Sequence, residues 1–230
     1  MRHFVLFIWL LLLYPDRMFA QSRRSIRVKS GENIAQAYSP NGFYRFPQFS
    51  KATLFYKGGT RNAGEQFNYN ILSGTMQFLK LTGKIFDIGD PANIDSVVFE
   101  KTAFVYADGF MEIVSRADSI ILLKKIIIQA RQEKIGALGL PAQSSSIDNI
   151  SIYSAETNAY NLTINADIVV TENVYWYWMD NNRTILKATK GNLLRLLPVT
   201  RQSAAETYMK QKKINFENEN DLKQLMVNPQ

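Results

Sequence analysis

The chain has 230 residues, 46% apolar and 20% charged, with a net charge of +7, one histidine and no cysteine. Those proportions fit one globular domain, or one domain with an appendage. The lack of cysteine excludes disulfides, thiolate zinc sites, iron–sulfur clusters, thiol nucleophiles and lipid attachment at a cysteine.

Residues 1–20 read as a secretory signal peptide. Arg2 and His3 make a positive start, and Phe4 to Tyr14 is an uncharged apolar run. A bilayer-spanning helix needs about 20 apolar residues, so this run is too short to cross. Pro15, Asp16 and Arg17 break it, and Ala20 before Gln21 offers a cleavage site. Cleavage would remove His3, leaving neither imidazole nor thiol. No Ser–His–Asp triad, Cys–His dyad or histidine zinc site can then be built. Arg2, Arg17 and Asp16 would leave too, lowering the net charge to +6. No dense basic block appears. For an exported chain this mild excess fits either a scattered solvated surface or contact with an anionic envelope surface or acidic glycan; the expected partner is an envelope protein or glycan, and not nucleic acid. No cofactor, no metal and no membrane span after cleavage are expected.

Residues 21–50 read as an extended lead-in with one short strand at Ile26–Lys29 and an irregular aromatic loop at 40–50. Residues 51–188 read as an antiparallel β domain. Ala52 to Tyr56 is β-branched and aromatic and ends in the turn signal Lys57-Gly58-Gly59. Gln66–Leu72 and Thr75–Leu81, joined by Ser73-Gly74, make the clearest hairpin, with Phe67, Tyr69 and Ile71 on one face. Strands are expected at Ile85–Ile88, Ser96–Glu100, Thr102–Tyr106 and Phe110–Ser115. The run Ile120–Ile128 (IILLKKIII) reads as a long central strand, because isoleucine dominates it. A Gly/Pro/Ser-rich excursion covers 136–149. Strands at Ile150–Tyr153, Ala166–Thr171 and Val174–Met179 follow, then a turn at Asp180–Arg183 in which Asn tolerates positive φ, and a return strand at Thr184–Lys187.

From residue 189 to 230 the apolar period changes from two to 3.6. Thr189 can cap a helix carrying Leu193, Leu194, Leu196 and Leu197, stopped by Pro198. Ser203 and Glu206 form a capping box for a second helix to about Lys212. Asn218–Asp221 open a third, with Leu222, Leu225 and Met226 on one face. Each is short and needs a surface to pack on. The fold class is therefore mainly β: an antiparallel meander, sandwich or open barrel, with a small C-terminal helical segment as its lid.

The segments FNYNILSGTMQFL (Phe67–Leu79), KATKGNLLRLLP (Lys187–Pro198) and KKINFENENDLKQLM (Lys212–Met226) resemble parts of a family of secreted Bacteroidetes proteins. Its members share a hairpin-rich N-terminal part, a Gly/Ser-rich break, an aromatic strand pair and short C-terminal helices. No activity is assigned to that family, and no functional residue carries over. The resemblance implies a location in the envelope of a Gram-negative host or outside the cell.

The most unusual local feature is Tyr175-Trp176-Tyr177-Trp178. Alternation puts Tyr175 and Tyr177 on one face and Trp176 and Trp178 on the other. An exposed Trp pair would form a platform for sugar rings or a partner protein. The competing reading places the Trp pair in the core and the Tyr pair over the sheet edge. Asp87, Asp90 and Asp95 offer oxygen ligands for calcium, but their spacing does not match a calcium loop. Glu100 and Glu112, on neighbouring strands, are the one candidate glycosidase pair. Gly58, Gly59 and Gly64 do not make a phosphate loop, and Gly83-Lys84 is followed by Ile85 where Ser or Thr is required. Asp95-Ser96-Val97 and Asp118-Ser119-Ile120 match a bacterial O-glycosylation pattern, and Asn149, Asn161 and Asn182 begin sequons. The expected function is a non-enzymatic binding or scaffold protein that uses Trp176, Trp178, Tyr175 and Tyr177. The alternative is a carboxylate-dependent glycan hydrolase.

Overall fold

The computed structural model describes residues 23–117, 119–132, 134–135, 141–142 and 167–227. Eleven strands form one antiparallel sheet. They are β1 (Arg23–Val28), β2 (Ser50–Tyr56), β3 (Arg61–Asn70), β4 (Thr75–Leu79), β5 (Ile85–Asp87), β6 (Ile94–Val98), β7 (Ala103–Ala107), β8 (Gly109–Ala117), β9 (Ile120–Gln132), β12 (Ile168–Asp180) and β13 (Ile185–Lys187). Their order is β1-β12-β9-β8-β7-β6-β2-β3-β4-β5, with β13 also paired to β12. A separate pair joins β10 (Lys134–Ile135) to β11 (Pro141–Ala142), inside the expected excursion. The expected strand at Ile150–Tyr153 lies outside the described residues.

The sheet is open but strongly curled. In a flat sheet β3 and β8 would lie about 19 Å apart, four strand spacings. Instead the Tyr69 ring of β3 stands 6.5 Å from that of Phe110 on β8 and 5.0 Å from that of Phe104 on β7. The main core fills this curl, with Phe67, Met76, Ile94, Val97 and Phe104 almost fully buried. The short helix α1 (Ile34–Tyr38) plugs it, capped by the Asn33 side chain, which accepts from the Gln36 amide at 3.1 Å. Its Tyr38 hydroxyl donates to Glu172 at 2.6 Å. This helix lies where only an extended lead-in is expected, because one turn of five residues leaves no readable period.

The C-terminal helices α2 (Lys190–Leu196), α3 (Val199–Lys212) and α4 (Glu219–Val227) cover the other end of the same sheet face. Leu193, Ala205, Met209, Leu222 and Leu225 pack there against Ile120, Leu122, Val174, Trp176 and Trp178. Thr189 caps α2 as expected, accepting from the Asn192 amide at 3.3 Å. The Ser203 capping box does not form. Pro198 occupies the N-cap position, so α3 starts at Val199 and Ser203 lies within it. Proline's fixed φ and missing donor suit a helix start, and its presence between α2 and α3 stops one helix while opening the next.

Two further differences have local causes. The strands expected at 166–171 and 174–179 are one strand, β12, because Glu172 and Asn173 stay in register with β9 and find side-chain partners in Tyr38 and Gln129. In the turn after it the positive φ falls on Arg183 (φ 64) and not on an asparagine. That residue is held by an ion pair to Asp95 at 3.0 Å and a bond to the Asp95 carbonyl at 2.9 Å. The apolar run of β9 is buried on both sides, as expected for a central strand. Ile120 and Leu122 face the helices, while Ile121 and Leu123 join Val105, Met111, Tyr177 and Met179 on the opposite face. Among the described residues no helix is long and apolar enough to cross a membrane.

Candidate functional site

A groove of about 650 Å³ opens between the loop before β2, the β6–β7 turn, strands β8 and β9, and α4. Each wall is fixed by local sequence. Asn68 of β3 clamps Phe46, accepting from its amide at 3.1 Å and donating to its carbonyl at 2.9 Å. The Arg45 amide donates to the Tyr69 carbonyl at 2.9 Å. The loop is thus pinned and presents Arg45 to the groove. The β6–β7 turn closes through the Phe99 amide and the Thr102 carbonyl at 2.8 Å, with Glu100 and Lys101 exposed at its tip. A register slip between Ile113 and Ser115 bulges β8 beside the groove, as sheets commonly do at site rims. Asn218 starts α4 by accepting from the amides of Asn220 and Asp221 at 2.9 and 3.1 Å, which brings Glu219 and Lys223 to the groove wall.

Five cationic side chains (Arg45, Lys51, Lys101, Lys124, Lys223) and three carboxylates (Glu100, Glu112, Glu219) line it. Arg45 grips Glu112 with both prongs, at 2.9 and 2.8 Å. Such a fork-to-fork pair is the strongest form of charge-assisted hydrogen bond. It raises the Arg45 pKa, against the opposing effect of burial. Lys223 donates to Glu219 at 2.6 Å, and Lys124 stands 3.5 Å from the other oxygen. Lys124 also sits over the Trp176 ring, 5.6 Å from its centre. Glu112, Lys124 and Trp176 are direct cross-strand neighbours, so a charged row leads from the groove to the buried indole.

Burial pushes the Glu219 carboxyl up, but the hydrogen bond to Lys223 and the charge of Lys124 outweigh it and hold the group below its ordinary 4.5. A depressed folded-state pKa contributes stability above the unfolded value, lost as pH falls through the folded one. We expect the part of the stability that this carboxylate contributes to be lost only as the solution is acidified below 4.5, and not in Glu219→Gln, which lacks the titrating group. Trp fluorescence followed during acid titration checks this; identical profiles in the two proteins would contradict it.

The expected Trp platform is not present. Trp178 is fully buried and Trp176 is 5% exposed, both under the C-terminal helices. Alternation assigned the pair to one face correctly, and that face is the covered one. Tyr175 and Tyr177 are half-buried on the opposite face, where Tyr177 packs against Leu123 and Met179. Burial, with Tyr175 nearby, raises the Tyr177 pKa. Glu100 and Glu112 do share the groove, but Arg45 occupies both oxygens of Glu112.

Asp87, Asp90 and Asp95 go to separate partners: Gln77, Asn93 and Arg183. Among the described residues no three acidic or histidine side chains gather as a metal site. Ser96 and Asn182 of the modification patterns lie on β6 and in the exposed β12–β13 turn. Asp118, Asn149 and Asn161 lie outside the described residues. The groove residues Arg45, Lys51, Lys101, Lys124, Glu219 and Lys223 have no place in the sequence-based site. The one available signal was Lys124, a charge inside an apolar central strand, where an unpaired charge is costly. Comparison with protein-family models, curated proteins and solved structures gives no match.

Proposed function

We propose that this is an exported, non-enzymatic binding protein of the bacterial cell envelope, and that it takes a carboxylate-bearing partner, protein or glycan, into the groove. The observation that carries this reading is the state of the groove's charges. Glu112 and Glu219 are already bonded to cations, while Lys51 and Lys101 stand exposed at the mouth with no ion-pair partner among the described residues, opposed only by the exposed Glu100. A surplus of unpaired cations beside a concave surface raises the local concentration of anionic ligands. The apolar start with its cleavage signal supports export. The likeness to a secreted Bacteroidetes family supports the envelope setting.

The second reading is a carboxylate-dependent glycan hydrolase. It draws on Glu100 and Glu112 lying in one groove. Such chemistry needs one carboxylate free to attack or to accept a proton. The double grip of Arg45 on Glu112 opposes that, and so favours binding.

The test is retention on immobilised polygalacturonate. The wild type should bind, with salt weakening it. The double variant Lys51→Glu, Lys101→Glu should bind about tenfold more weakly, since each exposed charge contact is worth up to ~1 kcal/mol. Equal retention of the two proteins would remove the groove mouth from the reading. Mass spectrometry of secreted or periplasmic material should find a chain starting at Gln21; an intact Met1 on cytosolic material would overturn export.

A further inference from the structure

Resting on that groove reading, we infer that Glu219 is a resident stand-in for the ligand: it holds the carboxylate position between Lys124 and Lys223 in the free protein, and a carboxylated glycan displaces it. Lys124 is the starting point. It lies in the middle of the apolar run of β9, and its cross-strand neighbours on the same face are Glu112 and Trp176. Glu112 is turned to Arg45 and Thr102, and no ion pair joins it to Lys124 among the described residues. Trp176 gives Lys124 a ring face and no oxygen, since the ammonium lies over the ring, 5.6 Å from its centre. Among the described ion pairs, Glu219 is thus the one carboxylate that Lys124 meets.

Glu219 fills the position between the two lysines incompletely. Its bond to Lys223 is short, at 2.6 Å, whereas its approach to Lys124 is 3.5 Å, an ion pair without close hydrogen-bond distance. Its side chain is 36% exposed, and it is the first residue of the nine-residue α4. The carboxylate can therefore swing away without uncovering the Leu222 and Leu225 contacts that dock the helix. A position shaped for one carboxylate between two ammonium groups accepts another. The unpaired Lys51 and Lys101 at the mouth give a ligand with several carboxylates its further contacts.

The walls favour a glycan over a peptide. Strands β6, β7, β8 and β9 are each paired on both sides, and the edge of β2 left without a β6 partner at the groove is only its start, Ser50–Lys51, too short to grip a peptide backbone. The recognition left is by side-chain charge and hydroxyl contacts, which suits a uronate chain.

The experiment is calorimetric titration of the full chain with trigalacturonate, with triglutamate as the competing probe. The Glu219→Gln variant should bind trigalacturonate about three- to tenfold more tightly than wild type, because the internal competitor loses its charge. Glu217→Gln, a neighbouring carboxylate outside the groove lining, should leave affinity unchanged. Lys124→Gln in the Glu219→Gln background should cancel the gain. Glu219→Asp, shorter but still charged at the helix start, gives a second route should the Gln variant fold poorly, and is expected to show a smaller gain.

Equal or weaker binding by folded Glu219→Gln, with wild type still binding and Lys51→Glu, Lys101→Glu still impaired, overturns the stand-in and leaves the groove reading intact. An equal gain in Glu217→Gln overturns it as a general charge effect. Tighter binding of triglutamate overturns the glycan assignment. Absence of binding to either probe in every variant overturns both readings together.

Discussion

Replacing Trp178 with alanine lowers the unfolding free energy by about 3–5 kcal/mol, the range for deleting a large buried aromatic side chain. Trp178 has no exposed surface, and it is the side chain over which the C-terminal helices close. Its indole N–H donates to the Thr189 carbonyl at 3.3 Å, at the residue that caps α2. The substitution therefore opens a cavity and loosens the start of the helical segment together. Urea denaturation followed by circular dichroism measures it, and Trp178→Phe should recover much of the loss by refilling the space. A loss below about 1 kcal/mol would mean that the helices are not packed on this face.

Phe104→Ala has a comparable expected cost, about 3–5 kcal/mol, but in the main core and with a functional consequence. Phe104 is 1% exposed, and its ring lies 5.0 Å from Tyr69, 6.0 Å from Phe99 and 6.4 Å from Phe46. Each aromatic pair adds about 0.5–1.5 kcal/mol beyond area burial. Phe46 and Phe99 line the groove, so the cavity left by Phe104 lies directly behind its apolar floor. The variant should lose affinity for polygalacturonate even under conditions where it remains folded. Phe104→Leu, which keeps most of the apolar volume, should lose less of both. Full affinity in folded Phe104→Ala would separate groove shape from core packing.

The fold was largely legible because hairpins are local. Ser73-Gly74 marked its turn, and Gly74 has the left-handed φ (69) that the turn requires. Phe67, Tyr69 and Met76 all proved buried, and the isoleucines of β9 made that run a strand. The terminal leucine periods located α2 and α4. The local misses were small, the one-turn α1 and the capping box displaced by Pro198; at the site, what failed depends on distant packing. Alternation showed that Trp176 and Trp178 share a face, but not that three helices would cover it. The groove is assembled from Arg45 near one end of the chain and Glu219 near the other, joined through Glu112 and Lys124 in the middle. No spacing in the sequence encodes that meeting. Lys124 carried the clearest hint, because a lysine among isoleucines must be meeting either an anion or water.

The seam between β1 and β12 sets the order in which the molecule can form. Ser25 and Thr171 bond across it although 146 residues separate them, whereas β2 to β5 and β6 to β9 pair through short connections and β2 meets β6 across the intervening β3–β5. Contacts of long sequence separation carry the largest loop-closure entropy and form last. The central hairpins can assemble early, but the outer edge of β12 stays unpaired along Ile168–Asn173 until the first strand arrives. An unfinished edge of that length recruits other chains. Refolding yield should therefore fall with protein concentration, because the competition is decided at this single late closure.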